Sequence, residues 1–170
     1  MTPLPPPLGT GRLRLWRLDR KPHAPTWESG EGSFQAGGRW NSPGVRAVYA
    51  ATDPATAILE VAVHKGFAAL DTVPHVMTSA EVDLSDPAVF HVIARPGDLP
   101  NANWLVPGIP SRGQMAHGDA LLTAHGFVLV PSVVSTRSWN IVFLAENAKG
   151  YYGDVHQTAF ARDSRLNAGT

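Results

Sequence analysis

The chain has 170 residues, 44% of them hydrophobic and 16% charged, a composition that suits one folded domain with one core and not a disordered chain. Fourteen basic residues balance fourteen acidic ones, and a formal net charge of zero argues against a nucleic-acid binder, which carries a basic excess. No apolar run reaches the roughly 18 residues of a membrane span, the start Met1-Thr2-Pro3-Leu4-Pro5-Pro6-Pro7 lacks the basic and apolar parts of a signal peptide, and cysteine is absent. No membrane segment, disulfide or thiolate metal site is therefore expected, and a reducing cytoplasm is compatible.

Residues 1–12, rich in Pro and Gly, are expected to form an irregular arm, and 13–170 the domain. Leu13-Arg14-Leu15-Trp16-Arg17-Leu18 alternates apolar and basic and predicts a strand. Residues 19–44 carry Gly, Pro, Ser and Asn with few periodic apolars and predict a long loop, a feature that in compact domains is often functional. Val45–Ala50 predicts a second strand. Asp53-Pro54 then reads as an N-cap with proline at the first helical position, opening a helix to Lys65 with Gly66 as its stop. From Ala55 to Val63 that helix is apolar nearly all round apart from Thr56 and Glu60, which predicts burial.

Further strands are expected at 74–83 and 88–93, and a loop at 94–110. Ser111-Arg112-Gly113-Gln114 fits a capping box, opening a helix that ends near Gly126. Phe127–Val130 and Asn140–Leu144 read as strands, and Tyr151-Tyr152 with Ala159-Phe160 add a last one. Strands outnumber helices without a regular β-α-β repeat, so the expected class is α+β with mainly antiparallel sheet.

The candidate chemistry is concentrated between Gly37 and His64. Arg39 follows two glycines and precedes Trp40. Its fork can hold a phosphate that the glycines let approach, or it can cover the tryptophan face in a plain turn. Arg17, beside Trp16, is a surface arginine or a second phosphate ligand. Tyr49 at the end of a strand is a core residue or a stacking face for a flat heterocycle. Glu60 and His64 are four apart and share a helix face, as a general-base pair, a metal half-site or a buried ion pair. A carboxylate on an apolar helix demands a partner. The metal reading is weak, because no His-Glu-x-x-His occurs and the other histidines lack ligand spacing. Ser132, outside any Gly-x-Ser-x-Gly elbow, is a hydrogen-bond donor to backbone or to a ligand phosphate, and Asn140 can act likewise. Gly30-Glu31-Gly32 begins like a dinucleotide fingerprint, but Gln35 stands where its third glycine belongs.

Taken together, Arg17, Gly37-Gly38-Arg39-Trp40-Asn41, Tyr49, Glu60, His64 and Pro131-Ser132 resemble in order and spacing the RES-domain family, toxins of bacterial Xre-RES toxin–antitoxin pairs. The likeness covers about residues 13–147. The chain departs from the family pattern after Ser132, where Asn140 runs on to Asn147 without the Asn-Pro that members often carry. The resemblance implies an ADP-ribosyltransferase-like fold that binds NAD+ in a cleft and needs no metal. It implies cleavage of the nicotinamide–ribose bond, with ADP-ribose passed to water, to phosphate or to a protein such as a phosphoribosyl pyrophosphate synthetase. Glu60 would stabilise the developing cation, Arg39 and Arg17 would hold the pyrophosphate, and Tyr49 with Trp40 would stack on nicotinamide. His64 would orient Glu60 or assist the acceptor, and Ser132 and Asn140 would complete the ligand contacts. The implied partner is a helix-turn-helix antitoxin of the Xre type that blocks the site.

Overall fold

The computed structural model describes residues 11–161 apart from 94, 95 and 136. Most of the expected arm, and the chain beyond 161, lie outside the described residues. Strand β1 (Arg12–Arg20) buries Leu13, Leu15 and Leu18. It extends past the predicted end because its antiparallel ladder with the strand His75–Asp83 continues to Arg20↔His75. The stretch 19–44, expected as loop, contains a 3-10 turn (Lys21–Thr26) and helix α1 (Glu31–Ala36). α1 buries none of its residues, so no apolar period announces it. It is held instead by Gly30 at its N-cap (φ 62°) and by Ser33 Oγ, which accepts from the Ala47 amide at 3.0 Å.

Strand β2 (Ala47–Ala51) leads into helix α2 (Pro54–Lys65). The predicted caps are present: Asp53 accepts from the Thr56 amide at 2.8 Å, and Gly66 closes the helix at φ 80°. The predicted burial needs correction. α2 buries Thr56, Ala57 and Ala62 against the sheet, but Leu59, Val63 and Phe67 just beyond its end are 36%, 64% and 51% exposed. Small residues are fully buried, Ile58 and Val61 pack partly against the core, and Leu59 and Val63 face solvent.

After the short helix α3 (Ala69–Thr72) come strands β3 (His75–Asp83) and β4 (Phe90–Val92). The region 94–110 holds two 3-10 turns, Pro96–Asp98 and Ala102–Leu105. Helix α4 (Arg112–Ala124) opens with the predicted capping box, in which Ser111 Oγ accepts from the Gln114 amide and Gln114 Oε1 accepts from the Ser111 amide. Strands β5 (Phe127–Pro131), β6 (Trp139–Leu144) and β7 (Tyr152–Phe160) complete the described residues.

The strands form one seven-stranded sheet in the order β4-β5-β6-β2-β1-β3-β7, antiparallel except for the β4–β5 pair. The α+β, mainly antiparallel expectation holds. β1 ladders with β3 along its whole length but meets β2 only at Trp16↔Ala51. The sheet is therefore two well-paired halves with a narrow joint.

Strand alternation sorts the core. Val48, Ala50, Phe127, Leu129, Ile141 and Phe143 pack on one face with Trp27. On the other face, Val128, Val130, Val142 and Leu144 pack with Trp40 and Trp104, and Leu18, Ala51 and Met77 pack beneath α2. Each such fully buried aliphatic contributes about 1.5–3 kcal/mol of transfer free energy. Asn140 has the parity of Val142 and Leu144, which puts a polar side chain on the second face, between its two apolar clusters.

Candidate active site

Glu60 lies on α2 where that helix passes β6. Its Oε1 accepts from Ser132 Oγ at 3.0 Å and from Asn140 Nδ2 at 2.5 Å. Ser132 follows β5 and is 2% exposed. Oε2 is 4.0 Å from His64 Nε2, and the His64 side chain is 73% exposed against 27% for Glu60. The partners that a carboxylate on this helix requires are thus two neutral donors from across the chain, and His64 is a distant, solvated neighbour. One carboxylate oxygen is fixed and the other faces outward. Asn140 Oδ1, on the same amide, is buried with no hydrogen-bond partner among the described residues. Such an orphan acceptor is uncommon in folded proteins and often marks a ligand or water position.

Arg39 approaches from the Gly37–Asn41 turn, which is closed by the Gly38–Asn41 bridge. A Cβ at Gly38 would stand 2.4 Å from Tyr49 Oη, so only glycine fits there. The guanidinium donates from one terminal nitrogen to the Trp104 carbonyl at 2.6 Å and from the other to the Gly108 carbonyl at 3.4 Å. Its recorded partners are carbonyl dipoles and not a carboxylate. Burial lowers its pKa, and the Glu60 carboxylate opposes that shift. Glu60 is close enough for its charge to act on Arg39.

Tyr49 is mid-strand, and its hydroxyl is a hub. It accepts from the Trp40 amide at 3.0 Å and donates to Asn41 Oδ1 at 2.7 Å. Asn41 Nδ2 in turn donates to the carbonyls of Ser33, Ser42 and Val45. Burial raises the Tyr49 pKa well above the ordinary phenol value, with the nearby Asp119 charge adding to it. The phenol therefore stays neutral and shapes the turn that carries Arg39. Asp119 of α4 completes the turn by accepting from the Ser42 amide at 3.0 Å.

Two other sequence candidates sit differently from their expected roles. Trp40 is 3% exposed and packs against Trp104 with ring centroids 5.7 Å apart, so its ring belongs to the core and presents no stacking face. Arg17 forks onto Asp19, with Nε and a terminal nitrogen each 2.8 Å from the carboxylate, and its other terminal nitrogen donates to the Tyr49 carbonyl at 2.7 Å. It fills the gap where β1 leaves β2, and three of its five N–H groups have protein partners.

Spacing missed Trp104, Gly108 and Asp119, because backbone carbonyls and a distant helix leave no local pattern. Among the described residues, no group of three or more His, Asp or Glu side chains could hold a metal ion. Two cavities, of about 490 Å³ beside Arg14 and Trp16 and about 670 Å³ beside Phe34 and Arg46, lie away from Glu60. The site is defined by its charges and donors.

A mainly antiparallel α+β sheet that carries a helical glutamate fixed by a serine and an amide, and an arginine on a glycine turn, defines a class of scaffold. The chain belongs to the RES-domain family, whose model matches residues 14–166. It is 31% identical over 156 residues to a protein named Toxin Res from Photorhabdus laumondii, covering 89% of this chain and 96% of that one. It is 30% identical over 133 residues to a Prs ADP-ribosylating toxin from a Sphingobium species, covering 75% and 80%. A chain in the crystal structure of the M. tuberculosis MbcT-MbcA toxin–antitoxin complex shares the fold, with a TM-score of 0.72 over 88% of this chain and 85% of that one at 19% identity.

Proposed function

We propose that this protein is a RES-type toxin that binds NAD+ beside Glu60 and cleaves its nicotinamide–ribose bond. The observation that carries the reading is the Glu60 carboxylate, with Oε1 held by Ser132 and Asn140 and Oε2 left facing outward near the half-buried charge of Arg39.

The pyridinium of NAD+ is already a good leaving group. As the C1′–N bond breaks, its electron pair returns to the ring and nicotinamide departs neutral. Positive charge develops on the ribose, in an oxocarbenium-like transition state. Glu60, its orientation set in advance by two neutral donors, stabilises that charge and accepts from a ribose hydroxyl through Oε2. Arg39 holds the pyrophosphate through N–H groups not used on Trp104 and Gly108. The buried Oδ1 of Asn140 can accept from the ligand. The acceptor then forms its bond to C1′ and releases a proton to solvent or to the exposed His64.

That acceptor is water, phosphate or a protein side chain. The Sphingobium relative's name supports a protein target of the phosphoribosyl pyrophosphate synthetase kind. The toxin–antitoxin complex of the structural neighbour supports a cognate antitoxin, and the family resemblance supports one of the Xre type. Such a substrate and target support action in the cytoplasm; among the described residues no helix is long and apolar enough to cross a membrane.

The test is nicotinamide release from NAD+ by purified protein, with Glu60→Ala alongside, with and without phosphate and with a candidate protein acceptor. Release that depends on Glu60 is expected, and the acceptor that accelerates it names the reaction. Full turnover by the Glu60→Ala protein would refute the assignment.

A further inference from the structure

The carboxylate of Glu60 is only as well placed as the two donors that hold it, one at the start of the segment that joins β5 to β6 and the other in the first residues of β6. Ser132 begins that segment and Asn140 lies just beyond it. Its backbone closes on itself: the Ser132 amide donates to the Ser138 carbonyl at 2.9 Å, the Ser138 amide to the Ser135 carbonyl at 2.8 Å, and the Ser135 amide to Ser132 Oγ at 3.1 Å. Ser132 Oγ thus accepts from within the turn while donating to Glu60.

The turn is also fastened to the start of α2. Ser138 Oγ donates to Asp53 Oδ2 and lies 2.7 Å from Thr56 Oγ1, which itself donates to Asp53 Oδ2 at 2.8 Å. The neighbouring Thr52 donates to the Trp139 carbonyl through its amide at 3.0 Å and its hydroxyl at 3.2 Å. Thr56 is 2% exposed. It precedes Glu60 by four residues and so lies on the same face of α2. One helix face therefore carries both the fastening and the carboxylate, and one turn carries both the anchored hydroxyl and the donor.

From this geometry we infer that Asp53, Thr56 and Ser138 are positioning residues, which lock the Ser132–Ser138 turn to α2 and thereby fix the direction of the Glu60 carboxylate. This rests on the reading of Glu60 as the group that stabilises the ribose cation. An N-cap alone needs only the Asp53 carboxylate and the Thr56 amide. The hydroxyl-to-hydroxyl contact across to Ser138 is more than a cap requires. Burial pushes the Asp53 pKa up, but hydrogen bonds from Ser138, from the Thr56 amide and hydroxyl, and from the Ala55 amide hold it below the usual value. The anion is the hub of the lock.

The experiment uses the full chain with Ser138→Ala, Thr56→Val and Thr56→Ser, the last keeping the hydroxyl. Nicotinamide release is measured as kcat and KM, and amide hydrogen exchange is followed at Ser132, Ser135 and Ser138. Ser138→Ala and Thr56→Val are expected to lower kcat by about tenfold with KM for NAD+ little changed, as small misplacements of a catalytic group do. Both should speed exchange of the turn amides, and Thr56→Ser should leave kcat and exchange near the parent values. In a Ser132→Ala background, Ser138→Ala should add little, because the lock acts through that hydroxyl. Additive losses, or a fall in kcat with unchanged exchange, would overturn the inference. A parent protein that releases no nicotinamide would defeat the functional reading alone. Faster exchange in Ser138→Ala and Thr56→Val, with exchange retained in Thr56→Ser, would then still establish the lock, and unchanged exchange would remove it.

Discussion

Tyr49, read from the sequence as a core residue or a stacking face, has as its best-defined group the hydroxyl, bonded to the Trp40 amide and the Asn41 side chain. Tyr49→Phe keeps the ring and strands both partners, at a cost of about 1–3 kcal/mol. The expected outcome is a lower melting temperature together with a raised KM for NAD+, because the turn that carries Arg39 loosens. A raised KM with unchanged melting would return the hydroxyl to direct ligand contact. Thermal unfolding and initial rates on one preparation decide between these. The residue types of the site, Arg39, Glu60, Ser132 and Asn140, were legible in the chain. The pairings were not: Ser132 and Asn140 stand 72 and 80 residues from Glu60, and periodicity carries no information over that separation.

Among the elements, helix limits were the most legible part. Asp53-Pro54, Gly66 and the Ser111–Gln114 box are local chemistry, and the structure uses each of them. What the pattern could not say is which side of a helix meets a neighbour. α2 is apolar on every side, so its open side, with Leu59 and Val63, looked the same in sequence as its packed one. α1 was missed for the opposite reason, since a helix with no buried residue has no period to read. Glycines in α4 make the point quantitative. A Cβ at Gly118 would meet the Trp40 carbonyl oxygen at 2.3 Å, whereas at Gly113 the nearest atom is Ser111 Oγ at 3.9 Å. Alanine gains roughly 0.5–1 kcal/mol over glycine in a helix, while overpacking against backbone costs about 1–3 kcal/mol or more. Gly113→Ala should therefore raise the melting temperature slightly. Gly118→Ala should lower it and push α4 from the Trp40 turn, which a denaturant titration of both variants checks. Stabilisation by Gly118→Ala would show that α4 is free to retreat.

At the scale of the whole molecule, the α+β class followed from counting strands, but the sheet's two-part construction did not. The pattern of β1 predicts a strand and cannot show that it ladders fully with β3 yet touches β2 at one register. Arg17 occupies the joint. Its fork holds Asp19, whose side chain is 10% exposed, and its remaining end satisfies the Tyr49 carbonyl that the missing ladder leaves open. Removing the arginine leaves a buried carboxylate and a carbonyl without partners, and breaking a buried pair from one side costs about 3–5 kcal/mol. Partial exposure of Arg17 reduces that, so a loss of roughly 2–3 kcal/mol is expected for Arg17→Ala. Arg17→Lys should recover little, because an ammonium cannot span both carboxylate oxygens and the carbonyl in one plane. If Arg17 served the pyrophosphate alone, Arg17→Ala would leave stability intact and raise KM, and Arg17→Lys would restore much of the binding. The two halves of the sheet carry different parts of the site's frame, with Glu60's donors just after β5 and on β6, and Arg17 reaching across from β1. Loss of the wedge should thus destabilise the fold first and disturb activity through Tyr49, an order that urea unfolding measured beside NAD+ turnover can establish.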